Sequence, residues 1–388
     1  MNKPVYIAAY HQSKFGKLMG MTVPDIVKNA VNEVCQQIKA DPAQIDVGSV
    51  GATCHFTLNQ QGLLAGLMAA VPGLEGKPIE SVENACASGG QAVLSVVYKL
   101  LLGMGEVGIA LGYEKMRDAE GKADGKLIGS ALGVFSHPDE RPGKVFVFPH
   151  IFAEVMADYM KTHGATEEDL AHIAVVEYGN GNKNPYAQMQ KATVTLDQVM
   201  KIEGINRYIV DGLPLKTFDC SQMTDGYAAL IIATAEGLKR LGVARADCVE
   251  IAGYSQATDS LLRAGRDVLR PGGAISAMNK AYQMAGVSPA DVNVAEIHDC
   301  FTVMGAIGTE VIGKAGVNGE CGINTSGGLI AKGHPVGATG IAMLGWASWQ
   351  LLGKVPPALQ VTNAKTAATF NIGGPICASV CTVLKPAS

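Results

Sequence analysis

Residues 81–93 read Ser81-Val-Glu-Asn-Ala-Cys86-Ala-Ser-Gly-Gly-Gln-Ala-Val93, and their order decides the fold class. The β-prone stretch Ile79–Glu83 runs into small residues that permit a tight turn, and a helical pattern starts at Ser88. A strand is handing over to a helix. Cys86 falls at the helix N-terminus, where unpaired N–H groups and the helix dipole favour a thiolate. Gly89 and Gly90 allow another backbone or a substrate to come close. A cysteine at such a junction is usually a small apolar filler, but the strand, turn and helix around this one favour a nucleophile.

Working outward, the same alternation recurs. Val5–Ala9, Gly48–Thr53, Ile79–Glu83 and Val107–Leu111 read as strands, with helices near Val23–Lys39, Gln60–Ala70 and Ser88–Leu102. A second succession begins near Cys248. There Val249–Tyr254, Val292–Ile297, a stretch near Thr369 and Ile376–Leu384 read as strands, with helices near Ala274–Ala285, Phe301–Gly313 and Ala338–Leu352. Two such successions predict an α/β chain built from a duplicated unit, without a strong residue-level repeat. Residues 113–216 differ, being richer in charge, Gly, Pro and Asn, with helical patches near Phe152–Thr162 and Glu167–Asn180. The expected organisation is 1–112 with 217–245 as one half, 113–216 as an inserted loop domain over a site, and 246–388 as the other half.

Composition narrows the function. The 388 residues carry 31 Lys and Arg against 35 Asp and Glu, a net charge of −4 without a basic run, so nucleic acid is not an expected partner. Only 17% of residues are charged where about 25% is usual, and 47 are glycine, which predicts extensive burial and close backbone approaches. The N-terminal apolar stretch is too short for a signal-peptide core, and no run nears about 18 apolar residues. The sequence therefore predicts a soluble, cytoplasmic protein. Nine cysteines without C-x-x-C pairs suit reduced thiols and no structural zinc.

Three further stretches carry candidate chemistry. Asn324-Thr-Ser-Gly-Gly-Leu-Ile-Ala-Lys-Gly-His334-Pro-Val-Gly-Ala-Thr-Gly340 holds a single imidazole between glycines just before a helix, placed to act as a base or oxyanion donor. The loop lacks the spacing of a phosphate-binding motif. Glu296-Ile-His298-Asp-Cys300-Phe301 puts an imidazole and a thiol two apart at a strand end, so an extended backbone points both to one side. Phe370-Asn371-Ile-Gly373-Gly374-Pro375 offers an unobstructed N–H at Gly373, while Cys377 and Cys381 look like packing inside the following strand. Cys54-His55 reads as core or pocket wall inside an apolar strand, and Glu296 has no assignable role.

In order and separation, ENACASGG around Cys86, NTSGGLIAKGHPVGATG around His334 and NIGG at 371–374 resemble the thiolase superfamily over nearly the whole chain. The HDCF at 298–301 is similar to the sterol-carrier-protein type, where other thiolases have Asn-Glu-Ala-Phe. Asn371 stands where those others place a second catalytic cysteine, a function that Cys300 supplies in HDCF-type relatives. The resemblance implies a duplicated five-layer α-β-α-β-α core, a homodimer, and reversible cleavage of a 3-oxoacyl-CoA with coenzyme A as co-substrate and no further cofactor. It implies Cys86 as the acylated nucleophile and His334 as its activator. It further implies the amides of Cys86 and Gly373 as oxyanion hole, His298 and His334 on the thioester oxygen, and Cys300 as proton donor and acceptor.

The motifs leave the coenzyme A contacts open. HDCF-type bacterial relatives extend the resemblance to a small zinc-ribbon and OB-fold partner and to aromatic substrates such as benzoylsuccinyl-CoA, beside short linear, branched or sterol-chain thioesters. Two alternatives remain at this stage: a ketosynthase-type condensing enzyme, which would not need Cys300, and a noncatalytic subunit that binds an acyl-CoA or a partner protein.

Overall fold

The computed structural model describes residues 3–314 and 321–387. Its strands are β1 (Val5–Gln12), β2 (Val47–Gly51), β3 (Ile79–Val82), β4 (Val107–Glu114) and β5 (Gly226–Thr234), then β6 (Val249–Thr258), β7 (Val294–Ile297), β8 (Gly322–Ile323), β9 (Ala367–Gly373) and β10 (Ala378–Pro386). The helices are α1 (Val23–Gln36), α2 (His55–Asn59), α3 (Leu64–Ala69), α4 (Ser88–Leu101), α5 (Gly125–Gly133), α6 (Val147–His163), α7 (Glu167–Lys183), α8 (Leu196–Met200), α9 (Ala235–Leu241), α10 (Gly272–Ala285), α11 (Thr302–Val311) and α12 (Thr339–Leu351).

All ten strands join in one ladder ordered β3-β2-β4-β5-β1-β6-β10-β9-β7-β8. Counted outward from the middle, each half runs first, fifth, fourth, second, third strand of its own set. The pairings repeat as well: β1–β5 and β6–β10 are antiparallel, β4–β5 and β9–β10 antiparallel, β2–β4 and β7–β9 parallel, β2–β3 and β7–β8 parallel. The duplication is thus written in topology. The halves meet where Tyr6 pairs with Glu250 and Ile7 with Val249, antiparallel.

Five layers follow from which faces are apolar. On β4, Val107, Ile109 and Leu111 join the core that α1 completes with Ile26, Val27 and Val31, whereas Ala110 faces the opposite core with Val93 and Ile341. Both faces of the strand are buried, so it reads as a near-continuous apolar run. Helices α1 and α3 cover the first half, and α10 and α11 cover the second. Between the halves, α4 and α12 pack on each other and touch strands of both. Helix α12 is buried almost all round, from Thr339 to Gln350, the pattern of an interior helix. By contrast α1 is amphipathic, and Thr22 and Asp25 close a capping box at its start.

Several expectations need correction. The expected strands lack β5, whose nine residues include the apolar run Tyr227–Ala233 and lie mid-sheet, and β8, which is only two residues long. Cys54 and His55 are not inside a strand: β2 ends at Gly51 and His55 opens α2, both residues remaining buried. Cys377 precedes β10 rather than lying within it. No described helix is long and apolar enough to cross a membrane.

Candidate active site

The turn between β3 and α4 is held by its own hydrogen bonds. Ser88 Oγ donates to Ala85 O at 2.6 Å and accepts the Asn84 N–H at 2.8 Å, while Ala85 takes a left-handed φ of 47°. This presents Cys86, half-buried, just ahead of the first turn of α4. A side chain at Gly89 would bring its Cβ within 2.6 Å of Gly337 O, and one at Gly90 within 2.8 Å of Asn371 Oδ1. The two glycines let the loop after His334 and the strand bearing Asn371 close on the start of α4.

Cys86, His298 and His334 meet here: one donor atom from each lies within 4.8 Å of the others. The two imidazoles stand edge to face with centroids 4.9 Å apart. His334 Nδ1 is 2.7 Å from Thr339 Oγ1, whose hydroxyl donates to Pro335 O at 3.0 Å. That oxygen therefore accepts the Nδ1 proton, which leaves His334 Nε2 with a bare lone pair. The backbone N–H of His334 donates to Thr224 Oγ1 at 3.0 Å. His298 directly follows β7, donates its backbone N–H to Phe370 O at 2.9 Å, and has Nδ1 3.0 Å from Asn371 Nδ2.

Burial sets the protonation states. It pulls His334 down to about 3, and it pulls His298 well below the ordinary imidazole range, with His334 adding a smaller push; both rings are neutral at pH 7. Burial, with Glu114 adding to it, pushes Cys86 up to about 12, against two backbone N–H groups, of Gly374 and of Cys86 itself, that favour the thiolate. The expectation of a helix-stabilised thiolate is therefore corrected. A helix terminus contributes about 0.3–1 kcal/mol, up to about 2, which is less than the cost of desolvating the charge here.

Cys300 stands outside the tight set of three but opens on the same cavity. Burial, then Cys86 and Asp299, hold it well above the ordinary thiol range, so at rest it is a proton donor and not an ionised base. Gly373 lies in β9 with its carbonyl taking the Cys377 N–H, and the next residue, Gly374, both lines the cavity and directs its N–H at Cys86. Cys377 donates its thiol to Asp259 O at 2.9 Å and Cys381 is fully buried in the outer core, so neither thiol belongs to the set.

Two carboxylate features, Glu114 and a buried cluster that includes Glu296, carry no role in the sequence motifs. Glu114, wholly buried at the end of β4, accepts the Cys54 N–H at 2.9 Å and the Gly337 N–H at 3.1 Å; burial raises it to about 7. Its only signal was an acid closing an apolar strand. Behind His298 and Cys300, Glu177, Glu296 and Asp299 are buried with Lys332. Glu296 accepts the Ser326 N–H at 3.1 Å and Asp299 accepts the Leu329 N–H at 2.8 Å, tying the HDCF strand end to the loop that carries His334. A Cβ on Gly328 would meet Asp299 Oδ2 at 2.3 Å, so only glycine fits there.

The thiols and imidazoles face a cavity of about 180 Å³. Its wall is apolar and aromatic: Phe148 stacks near Phe152 at 6.4 Å, Phe152 on Phe301 at 4.6 Å, with Phe146, Met116 and Ile128 beside them. Helices α5 and α6 supply much of it. The three ligating atoms of Cys86, His298 and His334 could also hold a soft divalent cation; with neutral imidazoles and an adjoining apolar cavity the same set can instead deprotonate a thiol and bind a developing oxyanion.

Residues 5–236 match the family "Thiolase, N-terminal domain" and residues 255–386 match "Thiolase C-terminal domain-like". The chain is 31% identical over 387 residues to an acetyl-CoA acetyltransferase of Methanothermobacter thermautotrophicus, covering 96% of this chain and 97% of that one. It is 31% identical over 412 residues to sterol carrier protein 2 of Oryctolagus cuniculus, covering 95% and 70%. Among solved structures it is similar to an Ltp2-ChsH2(DUF35) aldolase, with a TM-score of 0.79, 20% identity and coverage of 99% and 98%. Human mitochondrial 3-ketoacyl-CoA thiolase gives a TM-score of 0.76 at 18% identity, covering 100% and 99%.

Proposed function

The chain belongs to the thiolase family and is an acyltransferase, and from that premise we propose that it cleaves a 3-oxoacyl-CoA with coenzyme A, or runs the reverse Claisen condensation, through an acyl group on Cys86. The observation that carries this reading is the meeting of Cys86, His298 and His334 within 4.8 Å at a cavity that Cys300 also lines.

His334 Nε2 takes the Cys86 thiol proton as the sulfur attacks the keto carbon; the resting pair is neutral, so transfer and attack are coupled. The oxyanion is received by the amide of Cys86 and that of Gly373, with Gly374 beside it, a contribution of roughly 3–4 kcal/mol per donor. Collapse breaks the bond between the keto carbon and the α-carbon, whose electrons pass into a thioester enolate. His298 and the protonated His334 bind the enolate oxygen, and Cys300 gives its proton to the α-carbon. The shortened acyl-CoA leaves. Cys300, now a thiolate, takes the proton of incoming coenzyme A, whose sulfur attacks the acyl-Cys86; expelled Cys86 regains its proton from His334. Coenzyme A enters as co-substrate and no step needs a metal. A ketosynthase would leave Cys300 idle, and a noncatalytic subunit would leave the whole set without use.

For the acyl group we favour an aromatic one, as in benzoylsuccinyl-CoA, because Phe148, Phe152 and Phe301 line the cavity as a stack. The carboxylate of that compound would have Ser221 and Gln222 as polar neighbours on the wall. We further assign residues 113–216 as the segment covering the site, the halves being 1–112 with 217–245 and 246–388, and a cytoplasmic homodimer as the working form. The solved neighbour's name couples Ltp2 to a DUF35 protein, which supports a small zinc-ribbon and OB-fold partner for this chain too.

Purified protein is to be assayed for thiolysis against acetoacetyl-CoA and benzoylsuccinyl-CoA, alone and with proteins encoded beside it, with intact-mass and peptide mapping after brief substrate exposure. The expected adduct is on Cys86; an adduct on Cys300 with Cys86 free overturns the assignment. Light scattering and native mass spectrometry report the assembly, and full turnover by a monomer would remove the dimer.

A further inference from the structure

Asn371 has no part in the chemistry above, yet it touches two of its members. It is fully buried in β9, and its side-chain nitrogen lies 3.1 Å from the carbonyl oxygen of Cys86 and 3.0 Å from Nδ1 of His298. A backbone carbonyl can only accept, so the atom facing Cys86 O is the NH₂ group and not the amide oxygen. The same nitrogen faces His298. Its second hydrogen therefore points at the ring, and Nδ1 must be the lone-pair nitrogen.

The other end of the amide agrees with this orientation. Asn371 Oδ1 is buried without a hydrogen-bond partner among the described residues and sits in a cradle made by two glycines: a Cβ at Gly340 would come within 2.3 Å of it and one at Gly90 within 2.8 Å. An unpartnered buried carbonyl oxygen is a cost, and turning the amide over would set that oxygen against the Cys86 carbonyl, which is worse. His298 Nε2 is likewise buried and without a partner among the described residues, and it belongs to the ring that meets Cys86 and His334.

We propose that Asn371 is a positioning residue that holds His298 as the tautomer with a bare Nδ1 and a protonated Nε2, making that imidazole a fixed hydrogen-bond donor to the site. The site then contains two neutral imidazoles in opposite states: Thr339 keeps the His334 proton on Nδ1, and Asn371 keeps the His298 proton on Nε2. One ring accepts the thiol proton while the other donates to the oxyanion. The Cys86 carbonyl is the reference that breaks the symmetry. What the donor does rests on the thiolase reading; which nitrogen holds the proton does not.

The test uses full-length protein labelled with ¹⁵N at its eight histidines, with the His298 signals assigned by their loss in His298→Gln. Nitrogen shifts at neutral pH are expected to show His298 Nδ1 unprotonated and Nε2 protonated. In Asn371→Asp the carboxylate accepts from the ring, so the proton moves to Nδ1, and kcat for thiolysis falls about 100-fold, as for loss of one oxyanion donor, with KM within about threefold. A wild-type ring protonated on Nδ1 overturns the proposal even if no variant folds. A folded Asn371→Asp that keeps wild-type kcat overturns it as well. Wild-type protein that shows the expected shifts but no thiolysis with any 3-oxoacyl-CoA supports the tautomer and overturns the thiolase reading instead.

Discussion

Glu114 Oε2 accepts the N–H of Gly337 at 3.1 Å while Oε1 accepts that of Cys54 at 2.9 Å, so one buried carboxyl joins the end of β4 to the loop that carries His334 and to the start of α2. The contact places an acid beneath Cys86, where it adds to burial in raising that thiol. Its own affinity for a proton is raised too, from 4.5 to about 7, by burial.

The folded state therefore binds the Glu114 proton more tightly than the unfolded chain does. Stability from this group is full below about pH 4.5 and is lost as pH rises towards 7, by about 3 kcal/mol in all. Glu114→Gln removes that slope, although it lowers stability overall because one N–H loses its acceptor. Denaturant midpoints for both proteins from pH 4 to 8 check this, and parallel curves would contradict it. The same variant lowers the pH at which iodoacetamide alkylates Cys86, since a negative neighbour is gone.

Thr339→Val keeps the shape of the residue and takes away the acceptor for His334 Nδ1–H. The ring is then free to carry its proton on either nitrogen. We expect kcat to fall about 10- to 100-fold with little change in KM, and Thr339→Ser to restore most of it. A Val variant as active as wild type would show that the hydroxyl does not select the base.

Cys300 and Cys377 separate by position. Replacing Cys300 by Ser raises the donor's pKa further, and thiolysis is expected to slow by about 100-fold or more. Cys377→Ala loses a thiol hydrogen bond to Asp259 O outside the cavity, so the change is in stability, about 1–2 kcal/mol. Steady-state thiolysis corrected by thermal melts decides between them; a dead, folded Cys377→Ala with a near-normal Cys300→Ser would reverse the roles.

Phe148 is half-buried and lines the cavity beside Phe152. Phe148→Ala is expected to lower kcat/KM for benzoylsuccinyl-CoA about 10-fold relative to acetoacetyl-CoA, the size of an aromatic pair contact. An unchanged ratio would take the aryl group away from this wall.

How much of this was legible in sequence depends on how far apart the deciding atoms lie along the chain. The turn at Cys86, the glycine-flanked His334 and the spacing of His298 and Cys300 are local patterns, because strand, turn and helix preferences act over a few residues. From them the α/β class, the duplication and the candidate set could be read. The run at Tyr227–Ala233 is local too: Asp225-Gly226 marks its start and Thr234 caps the helix that follows, so turn chemistry at both ends was there to read.

The tertiary structure decided the rest. The shared strand order of the halves rests on pairings such as Val294 with Ala367 and Ile7 with Ile232, far apart in sequence. Cys86 is a neutral thiol because burial and Glu114 outweigh a helix terminus, and neither burial nor a carboxyl brought 28 positions along the chain is present in the motif. The two imidazoles differ only through Thr339, five residues from one, and Asn371, 73 residues from the other. Sequence named the groups proposed for the chemistry; their protonation came from desolvation and hydrogen bonds that exist only once distant segments have closed around them.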